Sequence, residues 1–454
     1  MEKTAKKPKY DGLVTTSYLR RVFKKMTECH YYLAGDDQDH LTMGRMCVNL
    51  FERDYTCDVR RNRFGALCPG YPGFIIIPLK EKAVGAPTPS PESRLWDFNG
   101  QEWSEEIVNS RLVRRKRRFP LPAILCQGKY VFRSAILQEK VNKAWNETYG
   151  TGKWITFTDY EMNINTAVYI LMSVKFQEEM KRDVKLLKDF DIGYICDLRV
   201  EGEFPKTASA PECNFLNLHE EFKAIQLPYP GKYHFKDFRE NTNAEDFDFD
   251  VLWAGRQTAD RHTIIQLPVD DVKLPDIDIS KWKTWKALEV TQNYLLLLLT
   301  YFTSGKKGIL ITSYNGLDRA PLFVCLLRLS LWADGLIHQS LSPLEMTFLT
   351  VLYDWHFSGH NIPEKIYKKY LIMLYCFSCL KHISSDRFSM KKVCGQSSQE
   401  ESSQSNQAAS EREEKLVAVQ ELFLEHYSAM MEEVRTIQKE RIVEFEEFVK
   451  FIQG

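Results

Sequence analysis

The sequence has no surplus of charge and no long hydrophobic run. Its 61 Lys and Arg residues equal its 61 Asp and Glu residues, so the formal net charge at pH 7 is zero. Because proteins that bind nucleic acid carry a clear basic excess, the composition argues against a nucleic-acid partner. The most apolar run, YLLLLLTYF from Tyr294 to Phe302, is about half of the roughly 20 residues that a membrane-spanning helix needs. We interpret it as part of a buried helix.

The sequence also lacks a cysteine framework and a histidine pattern of the kind that binds metal. Its 11 cysteines show no disulfide spacing, and no apolar signal segment follows the N-terminal MEKTAKKPKYDG. Both features predict a cytoplasmic chain with reduced thiols. The close pair Cys376 and Cys379 has no second pair at zinc spacing, so we interpret it as core packing and expect neither a metal nor a cofactor. Four histidines without mutual metal spacing are interpreted as structural: His338, His356, His360 and His382.

Changes in composition divide the chain into four predicted segments. Residues 1–120 are interpreted as an N-terminal α+β region with a Pro/Ser-rich loop and a polybasic segment, and residues 121–390 as the main domain. Residues 391–412 are rich in Ser and Gln and are expected to be disordered, while residues 413–453 are predicted to form a C-terminal helix with a sparse apolar face. We expect that face to pack on the domain or, alternatively, on a coiled-coil partner helix.

Strands and helices alternate in the main domain. The runs Lys129–Ala135, Gly193–Val200 and Lys223–Pro228 predict strands, and Trp282–Phe302 predicts a helix with Ser280 as its N-cap. This alternation is typical of an α/β fold with a mixed, largely parallel sheet flanked by helices. In such a fold the functional site lies at the carboxyl ends of the strands.

A phosphate-binding loop is predicted inside the segment Gly308–Gly335. The segment has the pattern of a short apolar strand, a tight loop at Ser313–Asp318 and a helix that begins near Arg319. Backbone N–H groups at the start of a helix, together with the helix dipole, favour an anion. Arg319 can hold two phosphate oxygens, and Gly316 allows the backbone to turn closely around a ligand.

The loop has the spacing of the protein tyrosine phosphatase signature but not its nucleophile. Five residues separate Ser313 from Arg319, and in that signature a Cys occupies the first position. The loop field lowers the pKa of a thiol from about 8.5, but it cannot be expected to ionise a serine hydroxyl. Ser313 would need a neighbouring general base, and the loop offers only Asp318.

The segment SYNGLDRAPLFVCLLRLSLWADGLIHQSL resembles the active-site region of the myotubularin-related phosphoinositide 3-phosphatases, and most closely their Jumpy branch. The family carries His-Cys and then a loop that ends Gly-Trp-Asp-Arg-Thr. The chain keeps Gly316, Asp318 and Arg319 of this pattern, but it has Thr312 for His, Ser313 for Cys, Leu317 for Trp and Ala320 for Thr. The resemblance continues through the runs LFERDYTCDV, AILCQGKYVFRSA, YICDLRVE, DWHFSGH and LKHISSDRFS.

The resemblance implies a protein tyrosine phosphatase-like fold, to which the composition adds the N-terminal extension and the C-terminal helix. It implies that Ser313 occupies the nucleophile position and Asp318 the general-acid position, and that Arg319 binds phosphate. Alternatively, Asp318 has a structural role, in which its carboxylate pairs with loop amides or with Arg319. The resemblance further implies that the head group of the substrate contacts Tyr314, Asn315, Gly316, Leu317 and Arg319.

Because both the Cys and the Thr of the family are replaced, we expect a pseudophosphatase. Such a protein would bind phosphatidylinositol 3-phosphate or 3,5-bisphosphate, or regulate an active myotubularin relative. One alternative is a working 3-phosphatase that uses Ser313, or a water activated by Asp318, as an atypical nucleophile. Another is a scaffold whose altered loop no longer binds phosphate.

The polybasic cluster RLVRRKRR begins at Arg111. Basic residues near a charged membrane contribute about 1 kcal/mol each, so the cluster is a candidate for contact with anionic lipid and for peripheral localisation on phosphoinositide-containing membranes. A solvated loop before the next strand and a nuclear-import signal are the other interpretations. The side chains that lipid contact would use are Arg114, Arg115, Lys116, Arg117 and Arg118.

Overall fold

A mixed five-stranded sheet flanked by helices forms the centre of the protein. The computed structural model describes residues 13–28, 38–68, 70–83, 110–137, 178–200, 222–231, 264–268, 272–367, 370–393 and 402–453. The part of the predicted Pro/Ser-rich loop that follows position 83 lies outside the described residues.

Two helices and a β-hairpin precede the central sheet. Their bounds are α1 at Thr16–Glu28, α2 at Gln38–Asp54, β1 at Tyr55–Arg61 and β2 at Phe74–Glu81. Strands β1 and β2 pair antiparallel. The backbone N–H of Ile76 donates to the Tyr353 hydroxyl at 2.8 Å, a buried bond that attaches the hairpin to the main domain.

The central sheet has the strand order β3-β4-β7-β5-β6. The strands are β3 at Leu121–Cys126, β4 at Lys129–Ala135, β5 at Ile192–Asp197, β6 at Lys223–Gln226 and β7 at Gly308–Ser313. Strands β3 and β4 form an antiparallel hairpin, whereas β4, β7, β5 and β6 run parallel. Because parallel strands end at the same edge, the carboxyl ends of these four strands meet there.

Two buried helices enclose the central strand β7. Helix α3 (Ala287–Ser304) precedes it and helix α4 (Arg319–Ala333) follows it. The prediction of one helix from Trp282 is wrong at its N-terminal end, because a separate 3₁₀ helix spans Ile279–Thr284. Ser280 does not cap α3; its backbone N–H instead donates to the Asp278 carboxylate at 3.2 Å.

Shorter helices complete the main domain. They are α5 at Pro343–Leu349, α6 at Ile362–Tyr367, α7 at Ile372–Ser378 and α8 at Met390–Val393. Helix α5 opens with a capping box, in which Ser342 and Glu345 each bond the other's backbone N–H. Among the helices that the structure describes, none is both long and apolar enough to cross a bilayer.

The last helix, α9 (Ser402–Gln453), begins inside the segment that the composition predicts to be disordered. The cause is tertiary: the buried Arg412 guanidinium donates to the Ser330 carbonyl at 2.8 Å and pairs with Asp334. Farther along, Phe423 stacks on Phe377 with ring centroids 3.8 Å apart. The expectation that this helix packs on the domain is confirmed, and its first half contacts helix α4.

Candidate active site

The loop between β7 and α4 lies at the shared carboxyl edge of the parallel strands. Ser313 ends β7, lies beside Ala135 of β4 and is 2% exposed. Gly316 has a φ of +65°, and a Cβ at this position would lie 2.9 Å from the Ala135 nitrogen and 3.0 Å from the Ser134 oxygen. Both the backbone conformation and the close approach therefore require glycine. Gly316 lets the loop turn directly beside the end of β4.

Arg319, the first residue of α4, connects the helix to two strand ends. Its Nη1 donates to the Leu198 carbonyl at 2.8 Å and to the Tyr229 carbonyl at 3.2 Å. These carbonyls follow β5 and β6 respectively, and the arginine side chain is buried between them and the loop. The guanidinium is thus held at the start of a 15-residue helix, where the helix dipole favours an anion.

Asp318 has partners other than the loop amides or Arg319 expected from the sequence. It occupies the N-cap position of α4, but its side chain makes no capping bond. Lys365 Nζ lies 2.8 Å from each carboxylate oxygen, and His360 Nδ1 lies 3.1 Å from Oδ1. The carboxylate is therefore turned toward α6, which carries Lys365.

These contacts control the protonation of Asp318. Burial alone would raise the pKa of the Asp318 carboxyl, but the Lys365 ammonium and the His360 ring outweigh burial and hold that pKa well below its usual range. Burial also lowers the pKa of His360, although Asp318 opposes this effect. At neutral pH, Asp318 is consequently a paired carboxylate without a proton to donate.

The Ser313 hydroxyl makes no hydrogen bond to a base in the part of the chain that the structure describes. No described residue forms a hydrogen bond with this hydroxyl. The Ser313 carbonyl, by contrast, accepts from the backbone N–H groups of Ile136 and Gly316, each at 3.2 Å. The loop conformation is thus fixed through its backbone, while the side chain at the nucleophile position lacks the partner that would activate it.

The other predicted contact residues lie on the same loop. Tyr314, Asn315 and Leu317 are half-buried. The Arg115 guanidinium carbon lies 3.8 Å from the centroid of the Tyr314 ring, which is a cation–π contact. This contact brings the basic cluster to the rim of the loop.

The basic cluster itself differs from the prediction. Arg114 is fully buried, and its Nε donates to the buried Asp183 carboxylate at 3.0 Å. Arg118 is also fully buried, with Nη1 donating to the Gly70 carbonyl at 2.9 Å. The prediction of membrane contact is therefore wrong for these two arginines, because internal acceptors bind them. The turn between them, residues 116–117, is exposed.

His360 and Lys365 are the site residues that the sequence analysis missed. His360 was interpreted as structural, and Lys365 was not singled out. The available signal was the run DWHFSGH, which ends at His360 and is part of the resemblance. Within the described ranges, no three His, Cys, Asp or Glu side chains come together as metal ligands.

Comparison with known proteins identifies the relatives of this chain. No protein-family model matches it. The chain is 34% identical to phosphatidylinositol-3,5-bisphosphate 3-phosphatase MTMR14 of Homo sapiens over 378 residues, which cover 77% of this chain and 54% of that protein. The chain is a homologue of MTMR14. It is also 33% identical to MTMR14 of Mus musculus over 369 residues, which cover 76% of this chain and 54% of that protein.

The chain spans about half the length of the curated relatives that it matches. Its mixed sheet with parallel strands and flanking helices confirms the predicted α/β, phosphatase-like fold.

Proposed function

We propose that the chain binds the head group of a 3-phosphorylated phosphoinositide at the Ser313–Arg319 loop and has little or no phosphatase activity. The relatives act, by name, on phosphatidylinositol 3,5-bisphosphate, which makes the 3-phosphate and the 3,5-bisphosphate head groups the first candidates. The observation that carries the proposal is the contrast within one loop. Its backbone and Arg319 suit an anion, whereas Ser313 makes no hydrogen bond to a described base and Asp318 is paired as a carboxylate with Lys365 and His360.

The support for phosphate binding is geometric. The loop follows the central strand and precedes a 15-residue helix, so its backbone N–H groups and the helix dipole act on the same small volume. The bonds from Arg319 to the Leu198 and Tyr229 carbonyls hold a guanidinium at the edge of that volume. A guanidinium carries five N–H donors in a planar array that matches phosphate oxygens.

Two separate features argue against turnover. Ser313 has neither the low pKa of a thiol nor a hydrogen bond to a described base, and loss of a nucleophile from a catalytic unit costs about a millionfold in rate. Asp318 is held as a carboxylate by Lys365, so it cannot serve as the general acid, a role typically worth about 10²–10⁴-fold. Replacing the serine alone would therefore leave the second defect in place.

Regulation of an active myotubularin relative, and the use of a coiled-coil partner, remain predictions from the sequence. Catalysis by an atypical nucleophile is the competing function, and the experiment below separates it from the proposal.

Turnover is tested with the chain in molar excess over short-chain phosphatidylinositol 3-phosphate, with phosphate release followed by a phosphate sensor. The natural chain is expected to release no more phosphate than Arg319→Ala does. The matched control is Arg387→Ala, which removes an exposed arginine outside the loop. Release by the natural chain and by the control at a rate well above that of Arg319→Ala would show that the chain is an enzyme and refute the proposal.

A further inference from the structure

An exposed phenylalanine projects from the tip of the β1–β2 hairpin. Phe64 is 74% exposed and has a φ of +51°, a left-handed conformation that is a genuine outlier for a bulky residue. Residues 62–68 around it are joined by side-chain hydrogen bonds. The buried Asn62 side chain donates to the Cys68 carbonyl at 2.9 Å and accepts from the Leu67 N–H at 2.9 Å. The exposed position of the aromatic ring is therefore fixed by the hydrogen bonds of Asn62.

A second ordered turn beside this tip presents two cations. Lys116 and Arg117 are exposed and have φ values of +53° and +57°. Arg111 connects the two segments, because its Nη1 donates to the Leu67 carbonyl at 2.9 Å. Arg118 adds a second connection through its bond to the Gly70 carbonyl at 2.9 Å. Three non-glycine residues in the left-handed region thus lie on neighbouring, mutually bonded turns.

The cationic turn is continuous with the candidate site. The Arg115 N–H donates to the Ile136 carbonyl at 2.8 Å, and the Ile136 N–H donates to the Ser313 carbonyl at 3.2 Å. The Arg115 guanidinium stacks on Tyr314 of the loop. Bonded segments therefore run from the phenylalanine tip, through the turn that carries the exposed cations, to the loop of the candidate site, and we treat their exposed side chains as one surface.

We propose that this surface docks on an anionic lipid bilayer, with Phe64 inserted at the head-group level and Lys116 and Arg117 in contact with lipid phosphates. Arg63, also exposed, lies with its guanidinium carbon 5.3 Å from the Phe64 ring centroid and adds a third cation at the tip. An aromatic ring flanked by basic side chains suits a membrane interface, where the ring enters the acyl boundary and the cations remain in the head-group layer. The backbone strain at three positions is consistent with a functional constraint, since strained residues persist only where the surrounding structure holds them, and they cluster at functional sites.

Docking in this orientation would bring the Ser313–Arg319 loop to the membrane and so extends the proposed function, but it does not depend on a phosphorylated inositol. The full chain is therefore tested in flotation assays with vesicles of phosphatidylcholine alone and of phosphatidylcholine with 30% phosphatidylserine, both free of phosphoinositides. The variants are Phe64→Asn and the double change Lys116→Asn with Arg117→Asn. Asparagine tolerates the left-handed backbone, so these changes preserve the turns.

The chain is expected to bind the anionic vesicles and not the neutral ones. Phe64→Asn is expected to weaken binding about tenfold, because the apolar contact is lost. The double change is expected to weaken it more than tenfold at 0.1 M salt and much less at 0.5 M salt, because salt screens the charges. Phe64→Trp is expected to retain binding, since tryptophan prefers the interface.

A matched control lies at the other end of the same hairpin. Leu79 is 50% exposed, and the neighbouring Lys80 is also exposed. The double change Leu79→Ala with Lys80→Gln is expected to leave binding unchanged.

The proposal would be overturned if the Leu79→Ala, Lys80→Gln variant lost as much vesicle binding as Phe64→Asn does. Failure of the natural chain to bind anionic vesicles would also overturn it. If the chain ignores these vesicles yet binds a soluble 3-phosphorylated head group, the membrane surface is refuted and the proposed function stands. If it binds the vesicles but no soluble head group, the proposed function fails and the surface stands.

Discussion

Catalysis is prevented, in our account, by two defects: the missing thiol at Ser313 and the paired, unprotonated Asp318. Combining Ser313→Cys with Lys365→Met tests whether both matter. Ser313→Cys restores a thiol in a field that favours its thiolate. The paired Asp318 would still lack a proton for the leaving alkoxide. We therefore expect Ser313→Cys alone to show weak activity, and Ser313→Cys with Lys365→Met to show more.

The structure sets the size of this effect. Lys365 Nζ lies 2.8 Å from both Asp318 oxygens, and opposite charges about 4 Å apart contribute roughly 4 kcal/mol at the permittivity typical of a protein surface. Even if only half of this interaction is lost, the protonated fraction of Asp318 rises by about an order of magnitude or more. Since general acid catalysis is worth about 10²–10⁴-fold, we expect the double variant to exceed Ser313→Cys by at least about tenfold.

The assay is phosphate release from short-chain phosphatidylinositol 3-phosphate between pH 5.5 and 7.5. The activity of the double variant should increase as the pH falls, because more of Asp318 then carries a proton. Lys365→Arg with Ser313→Cys is the matched control; it keeps the cation and should resemble Ser313→Cys alone. Full activity of Ser313→Cys without any change at Lys365, or equal effects of the methionine and arginine variants, would refute the reasoning.

Three further predictions concern stability. Gly316→Ala should destabilise the fold by about 2–4 kcal/mol in urea unfolding, because the new methyl group would meet the β4 backbone. The control is Gly128→Ala, which should cost clearly less, because φ is also positive there but nothing lies within 4 Å. Equal losses of unfolding free energy in the two variants would refute the packing argument. Arg114→Ala should lower the unfolding free energy by about 3–5 kcal/mol, because it leaves a buried carboxylate unpaired. Lys116→Ala should change the unfolding free energy by less than about 0.5 kcal/mol, because that side chain is exposed. Similar values for the two variants would contradict the burial of Arg114. Because the pKa of Asp318 is depressed in the folded state, its ion pair stabilises fully above the unfolded pKa of about 4 and is lost as the pH falls through the folded pKa. The difference in unfolding free energy between the natural chain and Asp318→Asn should therefore shrink below pH 4, and a constant difference from pH 7 to 3 would contradict the assignment.

The loop was predictable from the sequence because its signal is local. An apolar strand, a glycine and an arginine at fixed spacing lie within a few residues of one another, and the strand-loop-helix order places them at the carboxyl edge of a parallel sheet. The same locality explains the correct assignment of strand β4 and of the packing of α9, whose apolar residues recur at helical spacing.

The partners of the site residues were not predictable, since they are distant in the chain. Lys365 lies 47 residues from Asp318, and no pattern links the two positions. Arg114 is separated by 69 residues from Asp183, whose carboxylate makes its burial tolerable. Composition alone assigns a run of arginines to the surface, and it assigns a Ser/Gln-rich segment to disorder. In both cases buried polar bonds formed by the folded chain, those of Arg114 and Arg412, change the assignment for part of the segment.

The most direct test of the proposed phosphate site is calorimetric binding of two soluble head groups, inositol 1,3-bisphosphate and inositol 1-phosphate. The natural chain is expected to bind the 1,3-bisphosphate at least about tenfold more tightly, because the additional phosphate would occupy the loop beside Arg319. Arg319→Ala should abolish this preference, and Arg387→Ala should preserve it. Equal affinities of the natural chain for the two head groups, or a preference that survives Arg319→Ala, would contradict the proposal that the loop reads a 3-phosphate.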